Sequence, residues 1–340
     1  MMQLKQLATG FLAAAMMLSV SNAVFASDTI SYTDCGSVTI TKVYEAENEG
    51  TTSPAETFGF TIERTSVTDA AEGITSANMP VATIGSVSYA AGDAGSATAK
   101  AKDITITLPQ YTSVGVYTYT IKETAGSTAG VTYYGNDILL KVTVIEQNGK
   151  VRVAAVHTEN PVDTGNAQGK KSDTFSNKYS AGKLNVKKTV TGNLGDQSKD
   201  FKVTVTFAAP EGKTVKEAIS YIDGGSTKTI PTTAWKNGVA TAEIELKHDE
   251  TVTFTTIPYG VTYTVVEDDY TAEGYEAAAY SFNDANKTID SAQDTVTITN
   301  EKNGMIDTGI HMDSLPYVLT LALIFGFGAV LFIRRRRVSE

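Results

Sequence analysis

Three side chains that could form a covalent amide recur twice along the chain, in the same order. They are a lysine, a glutamate and an asparagine: Lys42, Glu123 and Asn177, then Lys188, Glu267 and Asn300. In an apolar core, desolvation lowers the pKa of an amine and raises that of a carboxylic acid, so both would be neutral. A neutral amine can attack, and a protonated acid can polarise a carboxamide and shuttle protons. Attack of lysine Nζ on asparagine Cγ would expel ammonia once per chain, which is not enzymatic turnover.

Strand alternation would aim all six side chains at the apolar face of their strands. For example, Lys42 shares a face with Val38 and Ile40, and Glu123 shares one with Ile121. The second copy repeats the pattern, and the two Lys-to-Glu separations are similar, at 81 and 79 residues. Burying such a group unpaired is costly, so the repetition favours a shared chemical role. The alternative is that these side chains lie at strand ends, where Lys and Glu can reach water.

The sequence around these residues is typical of an all-β protein with two domains. Thr, Val, Ser and Tyr are frequent, and no long segment outside the two ends has a 3.6-residue apolar period. The local patterns predict four features: a hairpin at 138–156, a second hairpin at 235–246, a long loop at 85–99 and a linker at 180–182. Each predicted hairpin turns at an Asn-Gly pair, which favours a tight two-residue turn.

Both ends of the chain have the features of targeting signals. Residues 1–26 have a basic residue, an apolar stretch and a small-residue cleavage site, which together predict a secretory signal peptide. A retained N-terminal helix is the alternative. At the other end, residues 305–340 contain MIDTG, a polar spacer, an apolar run at 315–333 and four arginines. The run is long enough to span a bilayer, with the arginines on the cytoplasmic side. A plain membrane anchor would explain the span and the charges equally well.

The Thr308-Gly309 pair ahead of this span resembles the cell-wall sorting signal of Gram-positive surface proteins. In that family a sortase thiolate cuts between the Thr and the Gly and passes the acyl group to an amine. The usual Pro of the pentapeptide is absent here, because Ile306-Asp307 stands in its place. The resemblance implies a secreted protein that is anchored to the cell wall, with its precursor held in the membrane by the C-terminal helix.

Removing both ends leaves residues 27–308, which are 282 residues long. Their net charge is −13 rather than −10, because five cations but only two anions are removed. So acidic a chain is unsuited to bind nucleic acid. The two histidines, His157 and His248, lie 91 residues apart, and no phosphate loop or dinucleotide fingerprint is present, so we expect no metal and no cofactor. The single cysteine, Cys35, excludes an internal disulfide; an intermolecular disulfide, a free thiol and a small apolar residue are the alternatives.

The whole mature chain resembles the major (backbone) pilins of Gram-positive bacteria, of the streptococcal T-antigen type. The most specific stretches are Leu184–Phe201, Gly260–Tyr270 and Ile298–Asn300. The resemblance implies two tandem Ig-like β-sandwich domains of the Cna protein B type, at 27–180 and 181–304. It also implies an isopeptide bond in each domain, with a glutamate as proton shuttle: Lys42 to Asn177 through Glu123, and Lys188 to Asn300 through Glu267.

The resemblance further implies that a pilin-polymerising sortase joins identical subunits head to tail. The acceptor lysine of such pilins lies shortly before the asparagine of the first domain, a position that Lys170 occupies here, with Lys171 as the alternative. Peptidoglycan and tip or base accessory pilins are the other implied partners. A pentapeptide-like run at 161–165 has no span after it, so we interpret it as a loop. The alternative function is a monomeric wall-anchored adhesin, or an accessory pilin, that binds a host ligand.

Overall fold

A computed structural model describes residues 35–48, 51–95, 99–162, 172–305, 321 and 323–324. The predicted signal peptide, the predicted sorting pair Thr308-Gly309 and both candidate acceptor lysines, Lys170 and Lys171, lie outside these residues. The three described residues of the predicted span are helical. No helix among the described residues is long and apolar enough to cross a membrane.

The regular secondary structure of the described chain is almost entirely β-strand, as the alternating sequence predicts. The N-terminal unit contains ten strands: β1 (Ser37–Ala46), β2 (Glu56–Thr68), β3 (Thr83–Ile84), β4 (Val87–Tyr89), β5 (Lys100–Thr107), β6 (Gly115–Thr124), β7 (Val131–Thr132), β8 (Ile138–Gln147), β9 (Lys150–Glu159) and β10 (Thr174–Tyr179). The C-terminal unit contains nine: β11 (Ala181–Thr191), β12 (Phe201–Ala208), β13 (Ile219–Asp223), β14 (Ser226–Ile230), β15 (Val239–Leu246), β16 (Thr251–Pro258), β17 (Thr262–Glu267), β18 (Ala279–Phe282) and β19 (Gln293–Glu301). Two short 3-10 turns, Thr232–Ala234 and Thr271–Glu273, complete this unit.

Each unit is built from two sheets that share one core. In the N-terminal unit the strand orders are β3-β5-β1-β10-β7 and β4-β2-β6-β8-β9. In the C-terminal unit they are β14-β13-β16-β11-β19-β18 and β15-β12-β17. Buried side chains from both sheets of a unit form a single apolar cluster, so the two units have separate main cores.

The first and last strands of each unit lie side by side and run parallel. In the N-terminal unit, β1 pairs with β10 so that Lys42 is opposite Phe175 and Tyr44 is opposite Asn177. In the C-terminal unit, β11 pairs with β19 in the same way, with Lys188 two positions from the partner of Asn300. Because side chains alternate across a strand, this offset of two places the lysine and the asparagine on the same face of their sheet.

The junction between the units differs from the predicted linker at 180–182. Only Ser180 separates the end of β10 from the start of β11, and Ala181 and Gly182 already pair with β16. Ser180 is itself buried, and its amide donates to the carbonyl of Gly130. The linker prediction was wrong because Ala181 and Gly182 belong to β11. A Cβ on Gly182 would meet the backbone oxygen of Ser291, so the small residue here allows two backbones to approach closely.

A second contact between the units involves Glu56 of β2. Its buried carboxylate accepts hydrogen bonds from the hydroxyl of Thr128 and from Lys216 Nζ of the C-terminal unit, the latter at 2.9 Å. The loop that carries Thr128 also forms a β-bridge to Thr214. Ala129 of this loop packs into the core of the C-terminal unit. The two units are therefore joined through packed side chains as well as through Ser180.

The predicted hairpins had mixed outcomes. Asn148 and Gly149, with φ of 54° and 73°, form the two-residue turn between β8 and β9, so that hairpin is confirmed. Asn237 and Gly238 also turn tightly, but the strand that follows, β15, pairs with β12. The second hairpin was therefore wrong, because the short segment before the turn has only one bridge residue. The predicted loop at 85–99 contains the short strand β4, paired to β2.

Candidate cross-linking sites

The N-terminal unit brings Lys42, Glu123 and Asn177 together between its two sheets. Lys42 and Asn177 project from neighbouring strands of one sheet, and Glu123 reaches them from β6 of the facing sheet. Lys42 Nζ donates to Glu123 Oε2 at 2.9 Å, and Asn177 Nδ2 donates to the other oxygen, Oε1, of the same carboxylate. One carboxylate thus contacts both the amine and the carboxamide nitrogen.

This N-terminal site is closed to solvent. Lys42 and Asn177 are fully buried, and the Glu123 side chain has no exposed surface. The Lys42 ammonium lies 4.3 Å from the ring centre of Phe58. Desolvation by burial lowers the pKa of Lys42 to about 8, although the adjacent Glu123 carboxylate opposes part of that shift. The fraction of neutral, nucleophilic amine at neutral pH is therefore much larger than for a solvent-exposed lysine.

A backbone amide outside the predicted set contacts the Asn177 carboxamide. The N–H of Tyr134 donates to Asn177 Oδ1 at 3.0 Å. A donor at this oxygen withdraws electron density from Cγ and stabilises the negative charge that develops there when a nucleophile adds. Lys42 Nζ also donates to the carbonyl of Phe175 at 3.3 Å, which directs the amine toward β10.

The C-terminal unit repeats the arrangement with Lys188, Glu267 and Asn300. Lys188 Nζ donates to Glu267 Oε2 at 2.7 Å, and Asn300 Nδ2 donates to Glu267 Oε1 at 2.6 Å. The Lys188 and Glu267 side chains have no exposed surface, and Asn300 is 1% exposed. Burial lowers the pKa of Lys188, against the opposing effect of its hydrogen bond to Glu267. The Lys188 ammonium lies 4.1 Å from the ring centre of Phe201.

Two details distinguish this second site from the first. Lys188 Nζ contacts Asn300 Oδ1 directly, and none of the hydrogen bonds in the described part of the chain brings a backbone N–H to that oxygen. In addition, the N–H of Glu267 donates to the hydroxyl of Tyr280 at 2.9 Å. Tyr280 lies on β18 of the other sheet, so its hydroxyl connects the two sheets at the glutamate.

Comparisons with known proteins match each unit to a separate family model. Residues 38–180 match the family model of the Spy0128-like isopeptide containing domain. Residues 182–302 match a second model that is described as a domain of unknown function. A curated protein named "Pilin" from Streptococcus pyogenes serotype M1 is 26% identical over 317 residues, which is 88% of this chain and 90% of that protein.

Solved structures of major pilins are also similar to this chain. The crystal structure of the major pilin from Streptococcus pyogenes has a TM-score of 0.54 and 25% identity, over 80% of this chain and 100% of that chain. Over most of its length, this chain is similar to major pilins of the streptococcal type. The major pilin T3.2 of Streptococcus pyogenes serotype GAS13637 has a TM-score of 0.54 with 21% identity, over 79% of this chain and 99% of that chain, and shows the likeness of the fold.

Two other features that the sequence singled out concern the cysteine and possible metal ligands. Cys35 is a free thiol, partly buried against the N-terminal core, and its Sγ donates to the carbonyl of Ser37 at 3.0 Å. No group of three or more metal-binding side chains occurs among the described residues. The Tyr134 amide and the Tyr280 hydroxyl were missed from the sequence, because neither belongs to the period-two pattern that identified the lysines, glutamates and asparagines.

Proposed function

We propose that this pilin is the shaft subunit of a covalently polymerised surface pilus and that each unit is locked by a Lys–Asn isopeptide bond. The observation that carries the proposal is the doubled geometry, in which one buried carboxylate contacts both the lysine amine and the asparagine nitrogen. Two tandem Ig-like β-sandwiches, at 27–180 and 181–304, would each hold one such bond.

The proposed reaction starts from a neutral lysine, with the glutamate as the proton shuttle. Lysine Nζ adds to asparagine Cγ, and the carbonyl oxygen takes the negative charge, opposite the Tyr134 N–H in the first unit. The glutamate carboxylate receives a proton from Nζ through one oxygen and delivers a proton to Nδ2 through the other. The Cγ–Nδ2 bond then breaks, ammonia leaves, and an Nζ–Cγ amide remains. Each bond forms once, so the pilin is not an enzyme.

The second part of the proposal concerns polymerisation. A pilin-polymerising sortase cuts between Thr308 and Gly309 and holds the Thr308 carbonyl as a thioester. The ε-amine of Lys170, or of the adjacent Lys171, in the next subunit then resolves that thioester. The support is the family of the chain together with the sorting motif in its sequence. Attachment to peptidoglycan, and association with tip or base accessory pilins, would place the finished pilus on the cell surface.

Intact mass tests the isopeptide proposal directly. Residues 27–308, produced as recombinant protein, are expected to be lighter than their sequence mass by two ammonia molecules. Glu123→Ala and Glu267→Ala are each expected to lack one ammonia deficit, and the double variant to lack both. Glu56→Ala is the matched control, because Glu56 is also buried and bound to a lysine, and its hydrogen bonds in the described part of the chain come from Thr128 and Lys216 and from no asparagine. This variant is expected to retain both deficits. The full sequence mass in the unmutated protein would contradict the proposal.

A covalent ladder tests polymerisation separately. Cell-wall extracts of the bacterium that makes the pilin should show multimers on denaturing gels, and Lys170→Ala should abolish them. Lys171→Ala is the control for the adjacent amine. A wall-linked monomer from the unmutated chain would contradict the shaft function and favour a monomeric surface protein.

A further inference from the structure

The last residues described before the sorting motif are held by a short loop of the C-terminal unit. The side chain of Asn193 makes a reciprocal pair with Gly304: Nδ2 donates to the Gly304 carbonyl at 2.7 Å, and the Gly304 N–H donates to Oδ1 at 2.9 Å. The N–H of Leu194 also donates to the carbonyl of Lys302 at 3.0 Å. We name residues 192–195 and 302–304 together the exit clasp.

The exit clasp fits closely enough to require glycine at position 192, and it packs the Leu194 side chain against Gly304. Gly192 has a φ of +87°, and a Cβ there would meet the backbone oxygen of Lys302. A Cβ on Gly304 would meet the side chain of Leu194. The chain is therefore pressed against the loop over three residues after β19 ends at Glu301. Its departure point from the folded unit is Gly304, not the end of the strand.

The position of Gly304 limits the distance between this unit and the acceptor lysine of the next subunit. Thr308 follows Gly304 by four residues, and four extended residues span about 14 Å. A lysine side chain adds roughly 6 Å, on the same bond-length basis. The surface that carries the acceptor lysine must therefore lie within about 20 Å of Gly304 when the two copies are joined. Without the exit clasp, the last held residue would be Glu301, where β19 ends, and seven residues instead of four would separate it from Thr308.

The composition of the exit clasp suits a contact between two copies of an acidic chain. Residues 27–308 carry a net charge of −13, so broad contacts between copies are repulsive. The loop 192–195, with sequence Gly-Asn-Leu-Gly, is uncharged. Leu194 is 50% exposed and Met305, directly after the clasp, is 99% exposed. Two apolar side chains thus stand in solvent beside the point where the chain leaves for the next subunit.

We propose that the exit clasp is the surface on which the next copy of this chain docks, with Leu194 and Met305 as its apolar contacts. The inference rests on the proposed function, because the four-residue distance from Gly304 limits the position of the next copy only if Thr308 is the joining residue. The clasp has two effects in the polymer. It shortens the stretch of chain between its last held residue, Gly304, and Thr308, and it presents the uncharged loop 192–195 to the neighbouring copy.

Photo-cross-linking in the assembled pilus tests the docking surface. A benzophenone amino acid replaces Leu194 in one strain and Ile222 in another; Ile222 is an apolar residue of β13 that is 60% exposed. After irradiation, the probe at position 194 is expected to give cross-linked peptides from a second copy at least fivefold more often than the probe at 222. An intact ladder in which position 194 gives no cross-links between copies, or cross-links only to sortase, would overturn the proposal. Absence of a ladder in the unmutated strain would instead contradict the proposed function.

Hydrogen exchange of the monomer tests the exit clasp itself. Asn193→Ala removes both hydrogen bonds to Gly304, so amide exchange at 302–304 is expected to accelerate at least tenfold. Asn283→Ala is the matched control, because Asn283 Oδ1 accepts a hydrogen bond from the Thr295 N–H elsewhere on β19. Equal exchange at 302–304 in Asn193→Ala and the unmutated pilin would show that the loop does not hold the exit, and would overturn the inference.

Discussion

The two candidate sites have the same three side chains but different supports. In the N-terminal unit, Glu123 lies on β6, which has β2 on one side and β8 on the other. In the C-terminal unit, Glu267 lies on β17, the edge of a three-stranded sheet, and its N–H is held by the Tyr280 hydroxyl instead. The asparagines differ too, because Asn177 Oδ1 accepts a hydrogen bond from a backbone amide, whereas Asn300 Oδ1 contacts Lys188 itself.

This difference separates what the chemistry requires from what the fold supplies. Burial, an aromatic ring beside the lysine, and one carboxylate shared between amine and amide are common to both sites. The groups that position the carboxylate and polarise the carbonyl are local and differ between units. We therefore expect the same substitution of a shared group to have a similar effect in either unit. A substitution of a local group has no counterpart in the other unit and should affect one bond only.

The largest expected effect is on stability and should be nearly equal in the two units. The proposed cross-links close loops of 135 and 112 residues, and the chain-entropy estimate depends only on the logarithm of loop length, giving about 4–5 kcal/mol for each. Lys42→Met and Lys188→Met remove one bond each and leave an apolar side chain of similar length. Calorimetry should show a large drop in the melting temperature of the affected unit. If only one of the two variants lowers the melting temperature of its unit, the cross-links do not stabilise the two units equally.

Removal of the Tyr134 amide should slow one bond specifically. Tyr134→Pro deletes the N–H that donates to Asn177 Oδ1, and loss of one such donor costs about 100-fold in rate in comparable sites. Tyr134→Ala is the control, since it loses the ring but keeps the N–H. The measurement is the time course of ammonia loss in chains made by cell-free translation, followed by mass spectrometry of the peptides of each unit. Equal rates for Pro and Ala would show that this amide has no role in the reaction.

The pH dependence of bond formation should follow the lysine. The pKa of Lys42 is lowered to about 8, so below pH 8 the neutral amine decreases tenfold for each unit of pH. The rate for the first bond is therefore expected to fall about tenfold from pH 7 to pH 6 and to level off above pH 8. The same quenched time course, run between pH 6 and pH 9, measures this. A rate that does not change across that range would contradict attack by a neutral lysine.

The smallest expected effect is at Tyr280. Tyr280→Phe removes the acceptor of the Glu267 N–H but keeps the ring, and one such hydrogen bond contributes about 1 kcal/mol, or roughly fivefold in rate. The second bond should form more slowly, with the first unchanged. Tyr270→Phe is the matched control, because the Tyr270 hydroxyl accepts from the Lys202 N–H at 2.9 Å in the same unit. Equal slowing in both variants would mean a general loss of stability instead of positioning of Glu267.

Much of this architecture could be predicted from the sequence, since strand alternation carries it. Lys42 and Lys188 fall in phase with apolar neighbours, so their inward direction follows from period two alone. The bond from the Tyr134 amide could not be predicted, because it comes from backbone between strands and depends on where a loop passes. The Glu56–Lys216 contact joins residues 160 positions apart and has no local pattern either. The linker was predicted too long for a related reason, because small residues occur both in linkers and where strands pack closely, and only the pairing with β16 decides which.

The single-residue gap at Ser180 has a consequence for the elasticity of the fibre. With both proposed bonds formed, a pulling force that enters at Asn300 would pass to Lys188 and back along β11 and β10 to Asn177. From there it would continue to the proposed acceptor lysine, Lys170 or Lys171, which precedes Asn177 by seven or six residues. The segment between Asn177 and Lys188 consists of two strands that are already extended, at about 3.3 Å per residue. It therefore stores almost no contour length that tension could release. A fibre of such subunits would therefore lengthen very little under tension. The force on a tethered cell would rise steeply with displacement, because the fibre does not extend to absorb it.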